Sequence, residues 1–384
     1  MGSMLPSPPR PRPCPHPRAA PPSPPPPDDL LFEILLRLPP DPHHLHRASL
    51  VCKRWRRLIH SPLFLPSFRA FHRTPPVLGF YHNNSPSFGS HVGPSFVAAA
   101  SVGPSVVFPD NDWRILGCRH GRVLLRSDPG WLQLLVWDPI TGHRRSVRLG
   151  RLGSHVQSCN AAVLGDQDSI PRREGSFRVA FVFTGEGRAS ACIYSSETET
   201  WGRLIMAAEI RCGDVGRNPS ALAGGNKLYW MLDDGDILEL NLTKETLAVV
   251  APPPDAMSLY CGNIQLMANG GGGEVGLVGM EVFSLQMWAR EEASGSWVLR
   301  KTINLDVFAP RPRARLIHVP PVRLLGVDED GRIVFVWTVD GIFMVHLEDG
   351  MLRIVSAARM VEFVYPYSSF YVAGGKGEDD SALV

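Results

Sequence analysis

The 384-residue chain contains no uncharged apolar run of about 18 to 20 residues, so it offers no transmembrane helix. Its N-terminus has no apolar stretch of the secretion-signal kind, which argues against export. The seven cysteines (Cys14, Cys52, Cys118, Cys159, Cys192, Cys212, Cys261) are odd in number, scattered and never spaced Cys-x-x-Cys. That pattern fits reduced thiols of the cytosol or nucleus rather than a disulfide framework or a structural zinc site. The run Gly270–Gly273 lacks the Lys and Ser/Thr of a phosphate loop and reads as a loop insertion. Acid is missing from residues 1–26, where proline dominates beside Arg10, Arg12 and Arg18. Proline at that density excludes helix and sheet ladders, which makes 1–26 a disordered tail.

What is present is unevenly charged. Residues 1–73 carry 11 Lys and Arg against 4 Asp and Glu, a net of +7. By difference from the whole chain, the remainder carries 28 against 33, a net of −5. A basic front end speeds encounter with an acidic partner. Residues 53–57, KRWRR, also have the composition of a nucleic-acid or nuclear-import patch. Trp55 and Leu58 fix the helix orientation, however, and leave those charges on a solvated face. No nucleic-acid partner is expected.

The segment 27–70 has its own grammar. Leu30, Leu31, Ile34, Leu35 and Leu38 recur at helical spacing and form one broad apolar stripe. Pro39, Pro40 and Pro42 stop that helix. A second apolar set follows at Leu45, Ala48, Val51 and Cys52, and a third at Trp55, Leu58 and Ile59. Three short helices in about 40 residues sit at the size where a domain usually needs a partner. The stripe is therefore shared between the module's own core and another protein.

Read as a string, PDDLLFEILLRLPPDPHHLHRASLVCKRWRRLIHSPLFLPSF (27–68) resembles the F-box, the helical module that docks on the Skp-type adaptor of cullin–RING ubiquitin ligases. The acidic start Asp28-Asp29, the LLFEILLRLP run over 30–39 and VCKRWRRLI over 51–59 carry the resemblance. F-boxes usually open Leu-Pro, whereas this chain reads Pro26-Pro27, so docking at that end is expected to be weaker with the fold kept. The resemblance implies a Skp-type adaptor and, through it, a cullin as partners. It draws the adaptor contacts from Pro27, Leu30, Leu31, Ile34, Leu35, Leu38, Pro39, Leu45, Leu50, Val51, Trp55 and Leu58, some of which belong to the module's internal core instead.

Beyond Phe71 the apolar period changes from about 3.6 to about 2. KLYWMLDDGDILELNL (227–242) is two strands joined across Asp234-Gly235, and RIVFVWTVDGIFMVHLED (332–349) repeats the device at Asp340-Gly341. RVLLRSDPGWLQLLVWDP (122–139) turns at Asp128-Pro129-Gly130, and FRVAFVFTGEGRASACIYSS (177–196) around Gly185 and Gly187. The second strands end near Trp137, Tyr194, Leu240, Trp288 and Leu347, spaced 57, 46, 48 and 59 residues apart. Propeller blades recur at roughly 40–50 residues, and a meander that cannot cover its own faces buries them by radial stacking. Strands within 76–110 and 352–372 can pair into a sixth unit that closes the ring.

This part resembles the β-propeller-like domain that follows the F-box in many plant F-box proteins, through GCRHGRVLL (117–125) and VWDPITGHRRSV (136–147). The expected architecture is mainly β: a small three-helix F-box at 27–70, a propeller-like domain of five to six blades at 75–372, and a flexible tail at 373–384.

Catalytic signals are weak. His43, His44 and His46 diverge around a helix and suit no single metal. Cys118 and His120 share a strand face but lack a third orienting group. Asp233, Asp234 and Asp236 read as hairpin chemistry rather than a calcium loop. Trp113, Trp201, Trp230, Trp297 and Trp337 read as blade packing. No catalytic residue, metal or cofactor is expected. The reading is a non-catalytic substrate receptor of an SCF-type ubiquitin ligase in nucleus or cytoplasm, free of membranes. Its target protein is expected on loops within 151–175, 211–220, 252–263 and 306–321. A scaffold or transcription cofactor acting without ubiquitin transfer is the alternative, and a propeller enzyme or glycan-binding module a more distant one.

Overall fold

The computed structural model describes residues 26–83, 93–99, 108, 113–127, 133–150, 156–165, 176–185, 188–207, 213–224, 226–259, 263–268, 275–291, 293–308, 322–357 and 361–371. The expected tails at 1–26 and 373–384 lie outside these apart from Pro26.

Four helices come first: α1 (Asp28–Leu36), α2 (Pro42–Ser49), α3 (Lys53–Ile59) and α4 (Phe64–His72). Helix α1 ends at Leu36, ahead of the prolines. Pro42 then opens α2 at a first-turn position where its missing N–H costs nothing, and Asp41 caps that turn by accepting the His43 N–H at 2.8 Å. The fourth helix corrects the three-helix expectation. Pro66 stands third in α4, where backbone N–H groups have no helical partner in any case, so it does not break the helix.

The rest is a propeller of six sheets. Two strands, β1 (Val77–Asn83) and β2 (Pro94–Ala98), precede four complete blades and one whose outer strand is split. These are β3 (Trp113–Arg119), β4 (Arg122–Ser127), β5 (Gln133–Trp137) and β6 (Arg144–Arg148); then β7 (Ser158–Leu164), β8 (Arg178–Gly185), β9 (Arg188–Ser195) and the split outer strand β10 (Thr200–Trp201) and β11 (Ile205–Met206). Next come β12 (Ala221–Ala223), β13 (Lys227–Met231), β14 (Ile237–Asn241) and β15 (Thr246–Val250), and β16 (Ile264–Ala268), β17 (Val275–Glu281), β18 (Ser284–Arg290) and β19 (Trp297–Asn304). The fifth blade holds β20 (Arg323–Val327), β21 (Ile333–Thr338), β22 (Gly341–His346) and β23 (Leu352–Ser356). The last strand, β24 (Tyr365–Ser368), returns to pair antiparallel with β1, Gly79 opposite Tyr367 and Tyr81 opposite Tyr365, and closes the ring. Six blades therefore stand where five to six were expected.

The hairpins read from the sequence are the second and third strands of the first, second, third and fifth of these blades. Trp137, Tyr194, Leu240 and Trp288 all lie on third strands, and Leu347 directly follows one. The turns leading to the fourth strands share a backbone device: one residue each in the left-handed region, Gly142 (φ 73), Glu199 (φ 57), Glu245 (φ 50), Gly295 (φ 68) and Gly350 (φ 71). Geometry repeats here where residue identity does not.

Because neighbouring blades cover both faces of a sheet, second strands such as β8 and β21 are buried along nearly their whole length rather than alternating. Along β8, Val179, Phe181 and Phe183 pack toward the first complete blade, while Ala180 and Val182 pack toward the third sheet around Trp230. The outer-strand tryptophans tie blades together, Trp201 donating its indole N–H to the Arg148 carbonyl at 2.8 Å and Trp297 to that of Ala251 at 2.9 Å.

Inner strands surround a channel with a cavity of about 30 Å³, lined among others by Arg119, Gln265, Asp328 and Glu329. Asp328 follows β20 and accepts backbone N–H groups of Arg332 (2.7 Å) and Ile333 (2.8 Å). Burial nonetheless pushes its carboxyl up to about 6. The folded state thus holds the proton more tightly than the unfolded chain, and stability is present below the unfolded value near 4 and lost as pH rises through about 6. Asp328→Asn keeps an acceptor oxygen and removes this titration. The variant is expected to match the parent at pH 4 and to exceed it at pH 7 by on the order of 2 kcal/mol in urea unfolding.

Candidate docking site

The helical module sorts the sequence-predicted contacts into two sets. Leu31, Leu35 and Leu45 point inward and form a core with Leu36, Ala48, Ile59, Phe64 and Phe68. These three are corrected: with 2% or less of their surface free, they have nothing to offer a partner. Replacing Leu35 therefore tests the module's core, not its docking. Leu38, Trp55 and Leu58 are half-buried and pack on that core from outside.

The other set faces solvent. Leu30 is 51%, Ile34 46%, Leu50 65% and Val51 62% exposed, and Pro27 and Pro39 are also exposed. Leu30 and Ile34 stand four apart on α1, and so on one helix face. Leu50 and Val51 lie in the turn between α2 and α3. Asp28 ties the start of α1 to α3: its carboxylate accepts from Arg54 Nε at 2.5 Å and from Arg57 at 3.1 Å. The first turn of α1 is thereby held against the start of α3. The Arg54 hydrogen bond keeps the Asp28 carboxyl below its usual range. Arg47, Lys53 and Arg56 are exposed around this face, and no described carboxylate pairs with them.

Two exposed apolar side chains were missed, Leu63 (73%) and Phe71 (50%). The Leu63-Phe64-Leu65 run and the spacing of Phe64, Phe68 and Phe71 carried the signal, but only once α4 is recognised as a helix.

The propeller's chemical candidates resolve into structure. His120 and Gly121 form the two-residue turn between β3 and β4, with φ 51 and 71, and the His120 backbone N–H donates to Glu329 at 2.9 Å. Burial pushes the Cys118 thiol well up, so it holds its proton. Asp233 and Asp236 titrate high from burial and the carboxylates beside them, and Asp234 accepts the Asp236 N–H across its turn at 3.1 Å. Among the described residues no three His, Cys, Asp or Glu side chains gather as metal ligands. Trp230 and Trp337 are buried in blade cores.

Topology separates the two ends of the ring. The helices enter at the start of β1, beside the end of β24 and the His120 turn. Chain leading from an outer strand to the next inner strand lies at the opposite end. The described parts of the expected loops 211–220, 252–263 and 306–321, namely 213–220, 252–259, 263 and 306–308, belong to that class, and the rest lie outside the described residues. The expected loop 151–175 is corrected: it contains β7, whose Ala161, Ala162 and Val163 are core.

Comparison with known proteins agrees with this architecture. The profile of the F-box domain matches residues 27–67. The profile described as F-box protein AT5G49610-like, beta-propeller, matches residues 114–371. F-box protein ETP2 of Arabidopsis thaliana is 24% identical over 217 residues, 53% of each chain. F-box/kelch-repeat protein At3g61590 of Arabidopsis thaliana is 27% identical over 232 residues, 53% of this chain and 51% of its own. The chain thus spans about half the length of the curated relatives it matches. A solved structure of a functionally unknown protein from Desulfotomaculum acetoxidans DSM 771 shares 13% identity over 72% of this chain and 78% of its own at a TM-score of 0.39, too low to decide anything. With an F-box at its front and a propeller profile covering well over half its length, the chain belongs to the F-box protein AT5G49610-like beta-propeller family.

Proposed function

We propose that this chain is a substrate receptor of an SCF-type cullin–RING ubiquitin ligase. The helical module grips a Skp-type adaptor and, through it, the cullin. The propeller holds a target protein at the end opposite the helices. The observation that carries this reading is the exposure of Leu30, Ile34, Leu50 and Val51 on a module whose core is already filled. A group of apolar side chains left outside a finished core is the signature of a surface that another protein covers. The exposed cations Arg47, Lys53 and Arg56 on α2 and α3 suit an acidic partner surface. Ubiquitin chemistry belongs to the other subunits, and this chain contributes proximity and orientation. Such work places it in nucleus or cytoplasm.

Proximity labelling compares the intact chain with one lacking residues 28–72 under proteasome inhibition. Adaptor and cullin peptides should be enriched at least tenfold by the intact chain alone, while propeller-bound proteins appear with both. Equal adaptor labelling by the two chains would refute docking through the module.

A further inference from the structure

The core of the helical module is not made of the module alone. Phe370, two residues beyond β24, is buried in the same apolar cluster as Leu31, Leu35, Phe64 and Phe68, its ring edge-on to Phe68 at 6.0 Å between centroids. Phe370 is therefore a propeller residue inserted into the helices.

The strand that delivers it is pinned. Tyr365 and Tyr367 are buried against the first complete blade, and the Tyr367 hydroxyl donates to the Gly121 carbonyl at 3.1 Å. The Ser369 N–H donates to the Pro76 carbonyl at 3.2 Å, joining the strand's exit to the covalent link. That link, Arg73-Thr74-Pro75-Pro76, sets two stiff prolines after Arg73, which sits at φ 61, where a side chain is disfavoured. Four linking residues do not fix the angle between two packed parts by themselves. Something packed across the link must.

We infer that Phe370 is the positioning residue that locks the helical module to the ring-closing blade, so that the face bearing Leu30 and Ile34 keeps one orientation relative to the propeller. The consequence for ubiquitin transfer rests on the receptor reading. The lock itself does not. A fixed orientation means that a target held on the propeller meets the charged enzyme within a narrow range of distances.

The test uses the full chain with spin labels on genetically encoded keto residues at His44 and Met351, both exposed, one in each part. Pulsed dipolar spectroscopy should give one narrow distance for the parent and a distribution at least twice as wide for Phe370→Ala. Phe370→Leu, which refills most of the space, should restore the narrow distance. Trypsin cleavage after Arg73 should accelerate at least tenfold in Phe370→Ala and not in Phe370→Leu. A second variant guards against a module that merely unfolds: Pro75→Gly with Pro76→Gly loosens the link and leaves Phe370 in place. Its distance should stay narrow. A broad distance there, or a narrow one in a folded Phe370→Ala chain, overturns the lock. Adaptor affinity measured on the same samples stands apart: its absence in the parent chain would sink the receptor reading and leave the lock intact.

Discussion

Changing Leu30 and Ile34 together to alanine is expected to weaken capture of a Skp-type adaptor by about a thousandfold, with the melting temperature of the chain almost unmoved. Both side chains are about half exposed, on one face of α1, and neither is among the buried side chains of the module's core. Central apolar anchors contribute on the order of 2 kcal/mol each, and about 4 kcal/mol is about a thousandfold. Surface substitutions of this kind shift stability by about 0.5 kcal/mol or less. Leu35→Ala, one residue along, should do the reverse. Its side chain is fully buried, so deletion leaves a cavity costing about 2–5 kcal/mol of module stability. Titration calorimetry beside thermal melts separates the two: lost affinity at constant melting for the first, lost helical signal for the second. A double variant that binds like the parent would remove the α1 face from the interface.

Ending the chain at Val361 is expected to cost the propeller its fold. The truncation removes β24, and with it the buried rings of Tyr365, Tyr367 and Phe370 and the pairing along β1. Burial of Tyr365 and Tyr367 in the propeller at about 3–5 kcal/mol each comes to about 8 kcal/mol, comparable to a typical domain's whole margin of about 5–15. Without the closing strand, β1 and β2 are left as a two-stranded hairpin, marginal at best in water. Near-UV circular dichroism should flatten and size exclusion should show aggregate. Retention of a sharp, cooperative melt by the truncated chain would mean that the ring does not depend on this closure.

Much of the propeller is legible in the sequence because its signals are local. Asp234-Gly235 and Asp340-Gly341 announce hairpins, with Gly235 at φ 95 and Gly341 at φ 138, where a Cβ would strike the Ser356 carbonyl. The marker spacing of Trp137, Tyr194, Leu240, Trp288 and Leu347 works because each falls at the same place in its blade. Register between distant segments is less legible. That Gly79 faces Tyr367 depends on ring closure, which local pattern suggests but does not specify.

The docking face was legible as a set and not as a partition. Leu30, Leu31, Ile34 and Leu35 all fit one helical stripe, and the stripe is wider than the core it covers. Which leucines turn inward depends on how α3 and α4 pack on α1, which involves Asp28 with Arg54 and an unforeseen α4. Phe370 carried no such signal: nothing in its neighbourhood marks it as part of a helical core some 300 residues upstream. The pushed-up carboxyls of Asp328 and Glu329 were equally silent, since burial at the channel is a property of the ring.

Hydrogen exchange of the full chain, with and without a saturating purified Skp-type adaptor, reaches the root of the account. Slowed exchange should be confined to the opening turns of α1 and the turn bearing Leu50 and Val51, with the blades unchanged. Protection falling on the propeller while those helix ends exchange as before would show that the greasy face is not where this protein meets a Skp-type adaptor.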